Sequence, residues 1–261
     1  SDTSLVAYAM NAMSAICSGF TILFLFWTIT MLAKKLVKNK EEMTLGQMIA
    51  IFASGVVGSL AYTFSDTFWY SAVESEVYAM SSCFTAISFW AILKWEAEAD
   101  DKHNLRWLIL IAFLIGISIG VHLLNLLAIP AITYVFYFKK YPNVEKNKKR
   151  NFILVGIISM LLVAIILYFI VPYIVIFAGK FEIFFTNSIG LPFNTGTIVY
   201  FALLIGLLVW GVWYSIKKQK VILNTALLSV LFILIGYTTF FVLVIRSNAN
   251  TPINENAPKD A

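Results

Sequence analysis

The sequence predicts an all-α protein, a polytopic helical bundle that spans a membrane, and three observations carry that reading. Hydrophobic residues make up 60% of the 261 and charged residues only 13%, against the roughly 25% charged expected of a soluble domain. The apolar residues gather into runs near the length an α-helix needs to cross a hydrocarbon core, and a helix satisfies its own backbone in lipid. The 19 Lys and Arg residues fall in short clusters between those runs, the distribution that orients a chain in a bilayer. That clustering also argues against nucleic acid as a partner, despite a formal charge of +5. Cys17 and Cys83 lie inside apolar runs and read as packing residues rather than as a disulfide framework.

Taken in order, the first run, Leu5 to Ala33, ends at Lys34, Lys35, Lys38 and Lys40. Those lysines mark a cytoplasmic end and leave the N-terminus outside. Gly46 to Phe64 carries the chain outward, with Ser54, Gly55 and Gly58 as a small-residue face for close packing. Val77 to Trp95 returns inward to the mixed-charge connector EAEADDKHNLR. Leu105 to Phe138 is too long for one span and short for two, at about 1.5 Å per residue against a core of about 30 Å. The basic cluster KKYPNVEKNKKR that follows belongs inside, as does the connector before, so an even number of crossings is required. The sequence therefore predicts a short hairpin or re-entrant pair at 105–138, turning near Gly120 to Asn125. Phe152 to Ala178 goes out again, with Pro172 kinking its outer end. The aromatic segment GKFEIFFTNSIGLPFNTGT then reads as lying on the outer interface. Ile198 to Ile216 returns to Lys217, Lys218 and Lys220, and Val221 to Ile245 exits. About eight crossings result, with every dense basic cluster on one side.

The stretch Phe64 to Met80, FSDTFWYSAVESEVYAM, stands apart because Asp66, Glu74 and Glu76 occur in it without a Lys or Arg. A charge brought toward hydrocarbon costs several kcal/mol unless something binds it. Trp69, Tyr70 and Tyr78 interleave with these acids, and such rings suit the headgroup level and stack on sugars. Ser65 or Asp66 is expected to cap a short helix on which Glu74 and Tyr78 share a face. The hairpin turn places His122 and Asn125 on the same outer side, and the last run brings Arg246 and Asn248 there. A guanidinium offers a planar fork to phosphate oxygens. Asp66, Glu74, Glu76 and His122 are thus the candidate catalytic residues. Trp69, Tyr70, Tyr78, Asn125, Arg246 and Asn248 are the candidate substrate-binding residues. Plainer readings stand beside these: an ordinary acidic loop, a hydrogen-bonded interfacial histidine, and an arginine that snorkels. No HExxH spacing, Walker motif, GxSxG, CxxC or Rossmann fingerprint occurs. No metal ligands are therefore assigned, and the part of a divalent cation stays open.

The phrases SDTFWYSAVESEVYAMSSCFTAISFWAILKWE at Ser65 to Glu96 and IGISIGVHLLNLLAIPA at Ile115 to Ala131, with the tail IRSNANTPINENAP, closely resemble the bacterial membrane proteins grouped as DUF2723. That family is similar to the TMEM260-type protein O-mannosyltransferases of the GT-C glycosyltransferase class. The resemblance implies a GT-C-like bundle in the bacterial inner membrane with its site facing the periplasm. It implies a polyprenyl-phosphate sugar as donor, a lipid-linked sugar presented from the membrane lipids. The acceptor implied is a Ser or Thr hydroxyl of a protein or peptide. FWDCGEF-like and HPPG-like segments of the family, with the catalytic base, do not occur in this sequence. The expectation is a single transmembrane domain over 1–261, a piece of a longer chain that adds a first helix, a first outer loop and a soluble C-terminal part. A transporter or lipid flippase built on the 105–138 hairpin and a non-enzymatic subunit of an envelope complex remain as alternatives.

Overall fold

The computed structural model describes residues 3–38, 42–101, 103–141, 147–242 and 246, and among them there is no strand. The described residues form ten α-helices in order: α1 (Thr3–Lys35), α2 (Leu45–Thr63), α3 (Asp66–Val73), α4 (Val77–Ala97), α5 (Leu105–Ile119), α6 (Ala128–Lys140), α7 (Lys148–Ile165), α8 (Val171–Ile183), α9 (Thr195–Lys217) and α10 (Val221–Tyr237). Among the described residues six helical segments are long and apolar enough to cross a membrane, and they coincide with the six long runs of the sequence. The chain is a multi-pass, all-α membrane bundle. The other two expected crossings are the arms of the 105–138 hairpin. Its first arm, α5, is shorter than the six spans at 15 residues, about 22 Å of helix.

Local chemistry sets several of these boundaries. Thr44 starts α2 through a capping box, its hydroxyl accepting from the Gln47 N–H at 3.3 Å while the Gln47 side chain accepts from the Thr44 N–H at 2.9 Å. Gly55 and Gly58 set α2 against Phe26, Ile29 and Thr30 of α1, the close approach that small residues permit in a membrane. The core lies between α4, α5 and α6, where Ile92, Trp95, Ile111, Ile115, Leu126 and Ile129 are buried together with Ile233 of α10. α5 and α10 cross almost backbone on backbone. A Cβ on Gly116 would lie 2.2 Å from the Ile233 carbonyl oxygen, and one on Gly236 would lie 2.5 Å from that of Phe113.

Two expectations need correction. Glu74 and Tyr78 do not share a helix, because the chain is extended at both Glu74 and Glu76, which close α3 and open α4 respectively. The break is held from a distance: the Ser75 hydroxyl donates to Asn11 Oδ1 of α1 at 2.6 Å. The aromatic segment after Ala178, read from the sequence as a loop on the outer interface, is helical over its first half: α8 runs on to Ile183 and a π-turn follows at Phe184–Ser188. Phe181 packs on Tyr200 of α9 with ring centroids 5.3 Å apart, which extends the helical pair. Pro172 follows another π-turn, Ile166–Ile170, in which the Val171 N–H bonds to the Ile166 carbonyl. That wider turn absorbs a residue with no N–H and a ring that crowds the preceding turn.

Candidate functional site

The two ends of the bundle differ in chemistry. At one end Lys35 pairs with Glu96, Lys94 and Arg106 both reach Glu98 at 3.2 and 2.6 Å, and Lys139 lies 3.4 Å from Asp100. These pairs tie the last turns of α1, α4 and α6 to the start of α5. Glu98 also accepts from the Trp107 indole N–H at 2.7 Å. That bond, with Arg106 and Lys94, holds its carboxyl down at about 2. Lys217 and Lys220 of the α9–α10 turn stack over Trp213 and Tyr214 at the same end.

The opposite end gathers the acidic stretch and the hairpin tip. α5 stops at Gly120, and a 3₁₀ turn at Leu123–Leu127 leads into α6. His122 caps that turn: its Nδ1 accepts from the Leu124 N–H at 3.1 Å. In the neutral ring this bond assigns the proton to Nε2, which is left as a donor. The imidazole lies against Tyr78 at the start of α4, with centroids 5.6 Å apart, so hairpin tip and acidic stretch share one end. The 3₁₀ turn Thr238–Phe240 that follows α10 joins them, since Phe240 packs on Gly120 with its Cα 3.6 Å from where a Cβ would stand. Arg246, helical and exposed, follows six residues later. Asn248 lies outside the described residues.

Asp66, Glu74 and Glu76 are exposed. Asp66 opens a cleft with Phe64, Trp69, Tyr70 and Val73. Trp69 stacks on Phe64 at 6.2 Å and 14°, while Trp69 and Tyr70 remain 54% and 65% exposed, a platform free to meet a ring. Phe68 is buried against Tyr62 and anchors α3. Asn125, expected to face a ligand, is instead fully buried. Its amide donates to Ser118 Oγ at 3.3 Å, bracing the tip on α5. No three His, Cys, Asp or Glu residues among those described come together as a metal cage.

Two features escaped the sequence reading. An apolar groove of about 500 Å³ runs between α1, α2 and α4 from Thr28 and Phe89 to Tyr62 and Leu124, so its mouth adjoins the turn that His122 caps. Small polar residues punctuate it, Thr21 and Thr28 on α1 and Ser82 and Thr85 on α4, and their helical spacing was the available signal. The other is Glu182, whose carboxylate accepts from the N–H groups of Asn194 and Thr197 at 2.6 and 2.8 Å and from the hydroxyls of Thr186 and Thr197, both at 3.0 Å. It serves as a borrowed cap for α9, where Asn194 turns with a φ of 72°.

Fold and site together define a multi-pass helical membrane protein with an acidic, aromatic face at the end away from its lysine clusters, beside an apolar groove. Residues 1–145 match the family described as the protein O-mannosyl-transferase TMEM260 N-terminal domain, and the chain belongs to that family. No curated protein and no solved structure matches it. Membership in this family supports a glycosyltransferase function.

Proposed function

We propose that the protein moves a sugar, mannose, from a polyprenyl-phosphate donor to Ser or Thr hydroxyls of proteins, on the periplasmic face of a bacterial inner membrane. The observation that supports this most is the meeting of three parts at one end: the carboxylates around α3, the His122 tip, and the mouth of the apolar groove. A lipid-linked sugar needs that combination, an apolar channel for its tail opening beside polar groups for its head. The tail lies along Thr28, Phe89 and Tyr62 in the groove. His122, as an Nε2–H donor, and Arg246 bind the phosphate as charge develops on its departing oxygen. Glu74 and Glu76 orient sugar or acceptor hydroxyls, and Asp66 with Trp69 and Tyr70 holds a sugar ring or peptide. In an inverting displacement, a carboxylate takes the acceptor proton. The acceptor oxygen bonds to the anomeric carbon as the bond to phosphate breaks.

The test is an in vitro transfer assay on the full-length protein with polyprenyl-phosphate mannose and a threonine-containing peptide. Glu74→Gln with Glu76→Gln lowers transfer at least about tenfold, a loss of roughly 1.4 kcal/mol or more in transition-state binding, with yield and melting temperature unchanged. Unchanged transfer removes both residues from the site.

A further inference from the structure

At the lysine-rich end a second cleft of about 500 Å³ opens between α1, α4 and α6. Its polar wall is Lys34 and Lys35 from α1, Lys139 from α6, and Glu96 from α4. Three ammonium groups therefore face a single lining carboxylate. Lys35 is paired with that carboxylate, and Lys139 is shared with Asp100, which is 93% exposed and stands outside the lining. The floor is apolar, formed by Met31, Leu93 and Ala97. Met31 also lines a smaller cleft with Trp27, Thr30, Trp90 and Lys94, and Lys94 is paired with Glu98, so a mainly apolar surface continues along α1 toward Trp27. Part of the lysine charge answers the carbonyl ends of α1 and α6, in whose last turns these lysines sit. An excess of cations held over an apolar floor at a helix-bundle end still focuses positive potential.

We propose that this cleft is a binding site for the phosphate of an anionic membrane phospholipid, one molecule per chain, with its acyl chains along Met31 and Trp27. Lys34 and Lys139 contact the phosphate oxygens, and Lys35 remains with Glu96. Phosphate alone would satisfy the lysines but leave the apolar floor uncovered. A phospholipid covers both, which is why the occupant is a lipid. The site lies at the far end from the one proposed for sugar transfer and does not depend on that reading.

The intact protein in phosphatidylcholine nanodiscs with a small share of phosphatidylglycerol supplies the test, with retained lipid counted by native mass spectrometry. One phosphatidylglycerol is retained in preference to phosphatidylcholine. Lys34→Gln with Lys139→Gln lowers that preference about thirtyfold, the conversion of about 1 kcal/mol for each lysine near an anionic headgroup. Lys34→Gln alone, on an exposed last turn where the fold has little at stake, lowers it about fivefold. Lys217→Gln with Lys218→Gln, which removes charge from the α9–α10 turn at the same end, leaves it unchanged. Absence of any preference overturns the proposal, as does an equal loss from the two lysine pairs, which would mean diffuse attraction. Displacement of the lipid by inorganic phosphate at equal concentration would overturn the lipid as the ligand.

Discussion

The α5–α10 crossing makes a sharp prediction, because it is where the fold tolerates no side chain. In Gly116→Ala the new Cβ would begin 2.2 Å from the Ile233 carbonyl oxygen and 2.9 Å from its Cα, both backbone atoms that cannot rotate away. An ordinary contact needs at least 3.4 Å, so the helices must part by about 1 Å. A gap of that size forfeits a quarter to a half of the dispersion at each facing contact, and overpacking of this kind costs about 1–3 kcal/mol. Alanine returns up to about 1 kcal/mol of helix propensity. Gly206→Ala is the matched control, since nothing stands within 4 Å of its Cβ position and it collects the propensity gain alone. The two variants are thus expected to differ by about 2 kcal/mol. That is roughly 4–8 °C in melting temperature for a chain of this size, with Gly116→Ala the lower, measured by nanoscale fluorimetry in one detergent. Because α10 delivers Phe240 to Gly120 beneath the His122 tip, Gly116→Ala should also lower sugar transfer below that of Gly206→Ala. Equal melting temperatures would refute the backbone-on-backbone crossing.

Other outcomes follow from single residues. Glu182→Ala removes the acceptor of two N–H groups at the start of α9, so limited proteolysis should cut within 184–195 far faster than in the unaltered protein, and Glu182→Gln should be intermediate. Glu98, whose carboxyl is lowered from an ordinary 4.5 to about 2, contributes stability that is complete above pH 4.5 and is lost as pH falls through about 2. Glu98→Gln should therefore flatten the fall in melting temperature between about pH 4.5 and pH 2, and an identical acid profile would contradict the pairing. Asn125→Ala deletes the buried bracket to Ser118 and should cost about 1–2 kcal/mol in chemical denaturation.

Much of this fold was legible because lipid leaves a sequence few choices. The six long spans follow from run length alone, and the hairpin follows from charge: Lys139 meets Asp100 beside the start of α5, so both arms of 105–138 begin and end at one face. What the sequence could not reveal depends on partners distant in the chain. The break at Glu74 to Glu76 rests on Asn11, 64 residues earlier. The continuation of α8 past Ala178 rests on Tyr200 and Thr197, and without α9 those residues read as an interfacial loop. Asn125 looked like an outward polar group because charge parity placed the hairpin turn at Gly120 to Asn125 on the outer side; burial against α5 sends its amide to Ser118 instead.

The capping role of His122 constrains any chemistry assigned to it. Its Nδ1 is engaged by the Leu124 N–H, so a proton taken there would set two donors against each other and unpick the first bond of the 3₁₀ turn. A general base at this position would have to work through Nε2, and the tautomer that keeps the cap already carries a proton at that nitrogen. On the proposed reading His122 is accordingly a donor to phosphate, and proton abstraction belongs to a carboxylate. His122→Gln retains a side-chain donor but loses the ring contact with Tyr78, whereas His122→Ala loses both donor and cap. Transfer should thus fall further in His122→Ala than in His122→Gln, and the pH profile of the glutamine variant should keep the acidic limb set by the carboxylate. Disappearance of that limb in His122→Gln would make the imidazole the base and reverse the assignment.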